Sequence, residues 1–274
     1  MNPRILDTTY RSRAIPVGSV RHLSWLFAAP AARPPLLGVY ALQAEWNALM
    51  DPRTERSAAQ IKLGWWQEEM RRLADAAPVH PISLYLAALP GAAGERFAPL
   101  VAAIDAAAVE VSGAPLECAA DLAPHARRLR ANPLVVAACL SDARADVHAC
   151  AGALAVAEYL AHALEEYRQE ARAGRVAFAV DELLAAGIDN AALAAEQAEP
   201  RLKAYLASLR ERALAQYALA AGSLAPREQR AQRHLTVLAA LGAARLHQSP
   251  PRGLRSVYLA WSTARRAALA RDVK

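Results

Sequence analysis

Lysine is almost missing from this chain. Of 32 basic residues only Lys62, Lys203 and Lys274 are lysines, and the rest are arginines. Cysteine is scarce too: Cys118, Cys139 and Cys150 are odd in number and at no zinc-like spacing. That excludes a disulfide framework and fits reduced thiols, buried as small hydrophobes, in a cytoplasmic protein. Long apolar runs are also lacking. The uncharged stretches at 131–141 and 147–157 fall short of the roughly 20 residues that cross a bilayer. The start, MNPRILDTTYRSRAIPVGS, has no apolar core of the signal-peptide kind. Aromatics make up 6% of residues, and they do not interleave with basic residues, so nucleic acid is not an expected partner. Only VAFAV at 176–180 reads as a strand.

What is present is alanine and arginine. The hydrophobic fraction is 55%, much of it alanine, the best helix former and a residue that lets helices approach closely. The fold class expected is all-α. No repeat, linker or shift in composition divides the chain, so residues 19–274 read as one helical domain behind a polar, loosely ordered segment at 1–18. Helices are expected at about 19–27, 36–50, 57–76, 81–89, 96–111, 116–130, 134–140, 148–173, 180–186, 191–221, 226–247 and from Leu254. Ile61, Trp65 and Met70 mark the inner side of the 57–76 helix, with Glu68, Glu69, Arg71 and Arg72 opposite. His80 before Pro81 marks a helix start. In the last helix Leu254, Val257, Tyr258 and Trp261 share a face, which reads as its core-packed side; the alternative is that this basic helix lies on anionic lipid or a protein partner. The formal charge of +6 and pI near 9.5 suit a phosphorylated ligand or peripheral contact with the inner face of a membrane.

The central helix, from His148, carries a polar stripe at four-residue spacing: Glu158, His162, Glu166 and Glu170. Residues four apart share a helix face. Stacked carboxylates repel by a few tenths of a kcal/mol per exposed pair, so helix stability does not account for the stripe. Either solvent bathes that face or a hard cation such as Mg²⁺ does, since carboxylate oxygens suit it.

Several blocks resemble the squalene/phytoene synthases, and most nearly a divergent branch that includes complex I assembly factors. They are SVRHLSWLFAAPAARPPLLGVYALQAEWNALMD at 19–51, IKLGWWQEEM at 61–70, HP at 80–81, ARAGRVAFAVDELLAAGI at 171–188 and LRSVYLAWSTARR at 254–266. The resemblance implies a helical bundle of the isoprenoid (terpenoid) synthase type around an apolar cavity. It also implies two acidic motifs on facing helices that hold Mg²⁺ ions, which in turn grip prenyl diphosphates. Metals and arginines there stabilise the negative charge of the departing diphosphate.

Both motifs depart from the family pattern. After Tyr40-Ala41-Leu42 the first reads Asn47, Ala48 and Asp51, one carboxylate of three, and Ala44 replaces an arginine. The second reads His162, Glu166 and Glu170 ahead of Gly174-Arg175, with one more methylene on each carboxylate. On the resemblance, Asp51, Glu166 and Glu170 are the catalytic and metal-holding candidates. His22, Arg33, Tyr40, Asn47, His162 and Arg175 are the substrate-binding candidates; the Trp65-Trp66 pair reads as core. The implied function is binding of a prenyl diphosphate or other isoprenoid lipid with transferase chemistry reduced or lost. The alternatives are an active Mg²⁺-dependent enzyme that condenses two farnesyl or geranylgeranyl diphosphates head to head, and a non-catalytic assembly factor at a membrane surface.

Overall fold

The computed structural model describes residues 6, 8–142, 144–247 and 252–271, and among them there is no strand. Three helices open the chain: α1 (Thr8–Ala14), α2 (Val20–Leu26) and α3 (Arg33–Met50). Then come α4 (Arg56–Ala74), α5 (Pro81–Ala87), α6 (Ala98–Ser112) and α7 (Ala119–Ala126), whose end passes through a π-helical turn, Arg127–Ala131, into α8 (Asn132–Ser141). The second half holds α9 (His148–Arg172), α10 (Val180–Ala186), α11 (Asn190–Ala194), α12 (Pro200–Gly222), α13 (Pro226–Ala231), α14 (Arg233–Arg245) and α15 (Leu254–Ala268).

The bundle is built around α9, with α12 along its length and the π-helical turn, α7, α8, α11 and α14 also against it. Small residues make this crowding feasible. Ala151, Gly152, Ala155 and Ala157 are all buried, and a Cβ on Gly152 would press on the Arg127 side chain at 3.3 Å. The helix closes at Gly174, whose φ of +74° is left-handed and costs glycine little. In that turn the Arg175 N–H donates to the Glu170 carbonyl at 2.9 Å. The chain therefore doubles back and returns the Arg175 side chain to the polar stripe.

Local signals account for most helix starts. Ser19 caps α2, its hydroxyl accepting the His22 N–H, and the His80 ring caps α5 by accepting the Ile82 N–H. Two of the expected long helices are split, one at Pro200 and the other at Gln232. Pro200 begins α12 behind the separate α11, and Pro226 begins α13, which ends at Gln232 before α14.

Four further expectations need correction. Residues 8–14 of the segment read as loosely ordered form α1, which packs on α3 and buries Ala14 and Ile15; the remainder of that segment at 1–5 and 7 lies outside the described residues. The VAFAV segment is no strand. Phe178 is buried there between Tyr167 and Tyr205, and the Val180 N–H reaches only the Leu116 carbonyl. In α4 the inner face is Leu63, Trp66, Glu69, Met70 and Leu73, with Ile61 and Trp65 exposed. The core-facing side of α15 is Ala260, Thr263, Ala264 and Ala267, with the large apolar residues turned out.

α14 buries His234 completely, and among the described residues neither ring nitrogen has a hydrogen-bond partner. Burial, with the Arg233 charge second, lowers its pKa from 6.5 to about 3. The unfolded chain takes up the proton from near pH 6.5 downward and the folded chain does not, so acid favours unfolding. At pH 5 this one residue is expected to cost about 2 kcal/mol of stability. Urea unfolding of His234→Leu at pH 7.5 and pH 5 should show a correspondingly smaller acid loss than the parent; equal losses would refute the assignment.

Candidate functional site

α3, α9 and the turn after α9 meet over a cavity of about 300 Å³. Six of the nine sequence candidates line it: Asn47, Asp51, His162, Glu166, Glu170 and Arg175. His162, Glu166 and Glu170 of the α9 stripe thus line the cavity, where they meet Asp51 from the end of α3, while Glu158 is not part of its wall. Three candidates lie elsewhere. His22 Nδ1 accepts the Gly18 N–H. Arg33 reaches the Leu26 carbonyl at 2.7 Å and stacks on Trp25. The Tyr40 hydroxyl is buried against Ser24 at 3.2 Å, beneath the Arg21 guanidinium, and burial raises its pKa to about 12.

The cavity is not the apolar hollow expected. Its wall adds Arg53, Glu110, Arg130, Tyr159 and Gln169 to the six, with Met50, Leu129, Ala163 and Val176 as the greasier part. Four carboxylates face three guanidiniums there, a small negative excess. His162 is exposed at the cavity; desolvation by the surrounding protein, then the Arg130 charge, lower its pKa to about 4, so the ring is neutral near pH 7.

Two carboxylates are occupied by arginines. Asp51 ends α3, and its Oδ1 accepts the Arg53 backbone N–H at 2.9 Å, a turn typical of aspartate. The Arg53 guanidinium then grips both oxygens, at 2.9 and 2.6 Å, and holds the Asp51 pKa down near 2. Across the cavity Arg175 grips both oxygens of Glu170, at 2.5 and 2.9 Å, and donates to the Met50 carbonyl at 3.1 Å. Forked pairs of this kind are strong and directional, and each takes up one face of both carboxylate oxygens.

A third network lies deeper. Glu110 of α6 accepts from the Tyr159 hydroxyl at 3.0 Å and lies 2.5 Å from His125 Nε2. Burial pushes the Glu110 pKa up, but the His125 contact, the Tyr159 hydrogen bond and the Arg130 charge together outweigh it and the net shift is downward. Arg130 leans over the Tyr159 ring, and its buried Nε has no partner. None of these residues has a spacing signal, because α6, α7, α9 and the π-helical turn bring them together only through packing.

Mg²⁺ needs open carboxylate oxygens in near-octahedral array. Here the oxygens of Asp51 and Glu170 already face guanidinium forks. Among the described residues no three His, Cys, Asp or Glu side chains gather closely enough to hold an ion. The residues as arranged do not fit the metal cluster that the family pattern implies.

The fold itself is well represented among solved structures. A dehydrosqualene synthase bound to a ligand covers 94% of this chain, which covers 95% of it, with a TM-score of 0.73 at 15% identity. The squalene synthase HpnC from Alicyclobacillus acidocaldarius covers 87%, with 90% of its own chain matched, a TM-score of 0.66 and 21% identity. Identities this low speak for the fold alone. No curated protein sequence gives a significant match. The family model for squalene/phytoene synthase matches residues 16–266, nearly the whole chain, and this chain belongs to that family.

Proposed function

We propose that this protein binds a prenyl diphosphate or related isoprenoid lipid in the α3–α9 cavity and has reduced or lost the Mg²⁺-dependent condensation. The observation that carries this reading is the pairing of Asp51 with Arg53 and of Glu170 with Arg175. Arginines take the places at which cations would have to bind. The cavity volume is at the lower end of the roughly 300–1,000 Å³ of ligand sites, which suits one ligand better than the two long chains of a head-to-head reaction. Arg130 lines the cavity wall, and its guanidinium is the group we assign to meet a phosphate oxygen there.

Two measurements on the full chain test this. Incubation with farnesyl or geranylgeranyl diphosphate and Mg²⁺ should yield no C30 or C40 product, while calorimetry should register binding of the same diphosphates. Arg130→Ala should weaken that binding about 10- to 100-fold, the worth of one charge-assisted hydrogen bond. Product formation would establish the active-transferase alternative. Absence of both binding and product would remove the isoprenoid reading altogether.

A further inference from the structure

α15 is inside out relative to a core helix. Ala260, Thr263, Ala264 and Ala267 seat it on α14 and α2, where Leu23, Val237 and Leu241 complete a small apolar cluster. Arg230 of α13 ties down its end through the Ala270 carbonyl. The large residues point the other way: Leu254 is 87% exposed, Tyr258 67% and Leu269 66%, with Val257 and Trp261 beside them. At 100° per residue these five fall on one contiguous stripe. The Tyr258 and Trp261 rings lie 5.9 Å apart along it, and the Arg265 guanidinium stacks on Trp261.

Charge says what covers the stripe. Arg252, Arg255, Arg265, Arg266 and Arg271 are all exposed around it. From Gln229 to Arg271 the sequence contains eight arginines and no aspartate or glutamate. A tryptophan–tyrosine–leucine stripe with Arg265 stacked within it and Arg255 and Arg266 along one edge has the character of a helix lying in a bilayer interface, with rings at the headgroup level and guanidiniums on phosphates. Size disfavours a protein occupant. A 15-residue helix offers a footprint of about 22 by 10 Å, well below the roughly 800 Å² per partner of a stable protein interface. No described helix is long and apolar enough to cross a membrane, so contact at the surface is the form available.

The geometry points to α15 as a docking helix that seats the protein on an anionic lipid surface, with Leu254, Val257, Tyr258, Trp261 and Leu269 entering the headgroup layer. This does not depend on what the α3–α9 cavity binds.

The test is co-sedimentation of the full chain with sucrose-loaded vesicles of phosphatidylcholine alone or of phosphatidylcholine mixed with phosphatidylglycerol, whose anionic surface attracts basic segments. Binding is expected to the anionic vesicles in low salt and to fall as salt rises. Each of Arg255→Gln, Arg265→Gln and Arg266→Gln should weaken it about fivefold. The exposed pair Leu254→Ser with Tyr258→Ser should weaken it more than tenfold while leaving the circular dichroism melt unchanged. Failure to bind anionic vesicles in low salt would overturn the proposal, as would binding indifferent to the serine pair. A concentration-dependent dimer abolished by that pair would assign the stripe to a second copy instead and would equally overturn it.

Discussion

Arg175→Ala should lose about 3 kcal/mol of stability and, unlike the parent, become stabilised by Mg²⁺. Arg175 and Glu170 side chains are only 13% and 16% exposed, so the pair is largely out of water. Removing one partner of a buried pair costs about 3–5 kcal/mol, because the other charge is left uncompensated; the cavity's access to solvent places this pair at the lower end. The lost donation to Met50 also unties the end of α3 from the turn after α9. The melting temperature should fall by roughly 5–10 °C.

The same substitution bares the Glu170 oxygens beside Glu166, opposite Asp51. A divalent cation that binds only the folded form then raises stability, by about 2.7 kcal/mol at a hundred times its dissociation constant. Thermal melts in EDTA and in millimolar MgCl₂ should therefore coincide for the parent and separate for Arg175→Ala. In Arg175→Ala with Glu170→Gln the separation should vanish and part of the lost stability return, since no carboxylate remains to be neutralised. Should the single variant melt like the parent in both buffers, the arginine is not what occupies the cation position.

How far the sequence discloses this arrangement depends on whether a feature is local. The Glu158–His162–Glu166–Glu170 stripe is legible because four-residue spacing fixes a helix face whatever surrounds it. Ser19, His80, Gly174, Pro34 and Pro200 mark helix ends through their own backbone chemistry, and the structure uses each of them there. What periodicity leaves open is which face of an amphipathic helix meets the core. In α15 the alanine side packs more closely on α14 than the tryptophan side would, so the larger apolar face is left outside. In α4 the acidic side chain that turns inward does so because backbone donors from the next loop await it.

The cavity divides in the same way. Asn47, Asp51, His162, Glu166, Glu170 and Arg175 are recoverable from motif order, but Arg53 and Arg175 as partners of the carboxylates are not. A carboxylate that could take either a cation or a guanidinium reads the same in sequence. The choice is made by a two-residue turn at Asp51 and by the reversal at Gly174. Glu110, Arg130 and Tyr159 come from three separate elements and carry no spacing at all.

Glu69→Ala should be among the most damaging single changes in the protein, at about 4 kcal/mol. Glu69 is fully buried in α4. Its Oε1 accepts the backbone N–H groups of His80 at 2.8 Å and Val79 at 3.0 Å, donors just ahead of α5. Hydrogen bonds to a carboxylate are worth about 1.5–3 kcal/mol each, and an orphaned buried donor costs about 1–3 kcal/mol. The effect also spreads. His80 caps α5 and packs its ring on Trp66 at 4.6 Å, and Trp66 meets Trp46 of α3 at 6.4 Å. Trp46 precedes Asn47, so the loop that Glu69 holds is one support of the helix that brings Asn47 and Asp51 to the cavity. Glu69→Gln keeps an acceptor of the same length and should cost less than half as much. Denaturant unfolding measures the difference, and hydrogen exchange locates it: the amides of Val79 and His80 should lose protection in Glu69→Ala before those of α9 do. A loss below 1 kcal/mol, or uniform loss of protection across the bundle, would mean that the buried carboxylate does not anchor this loop.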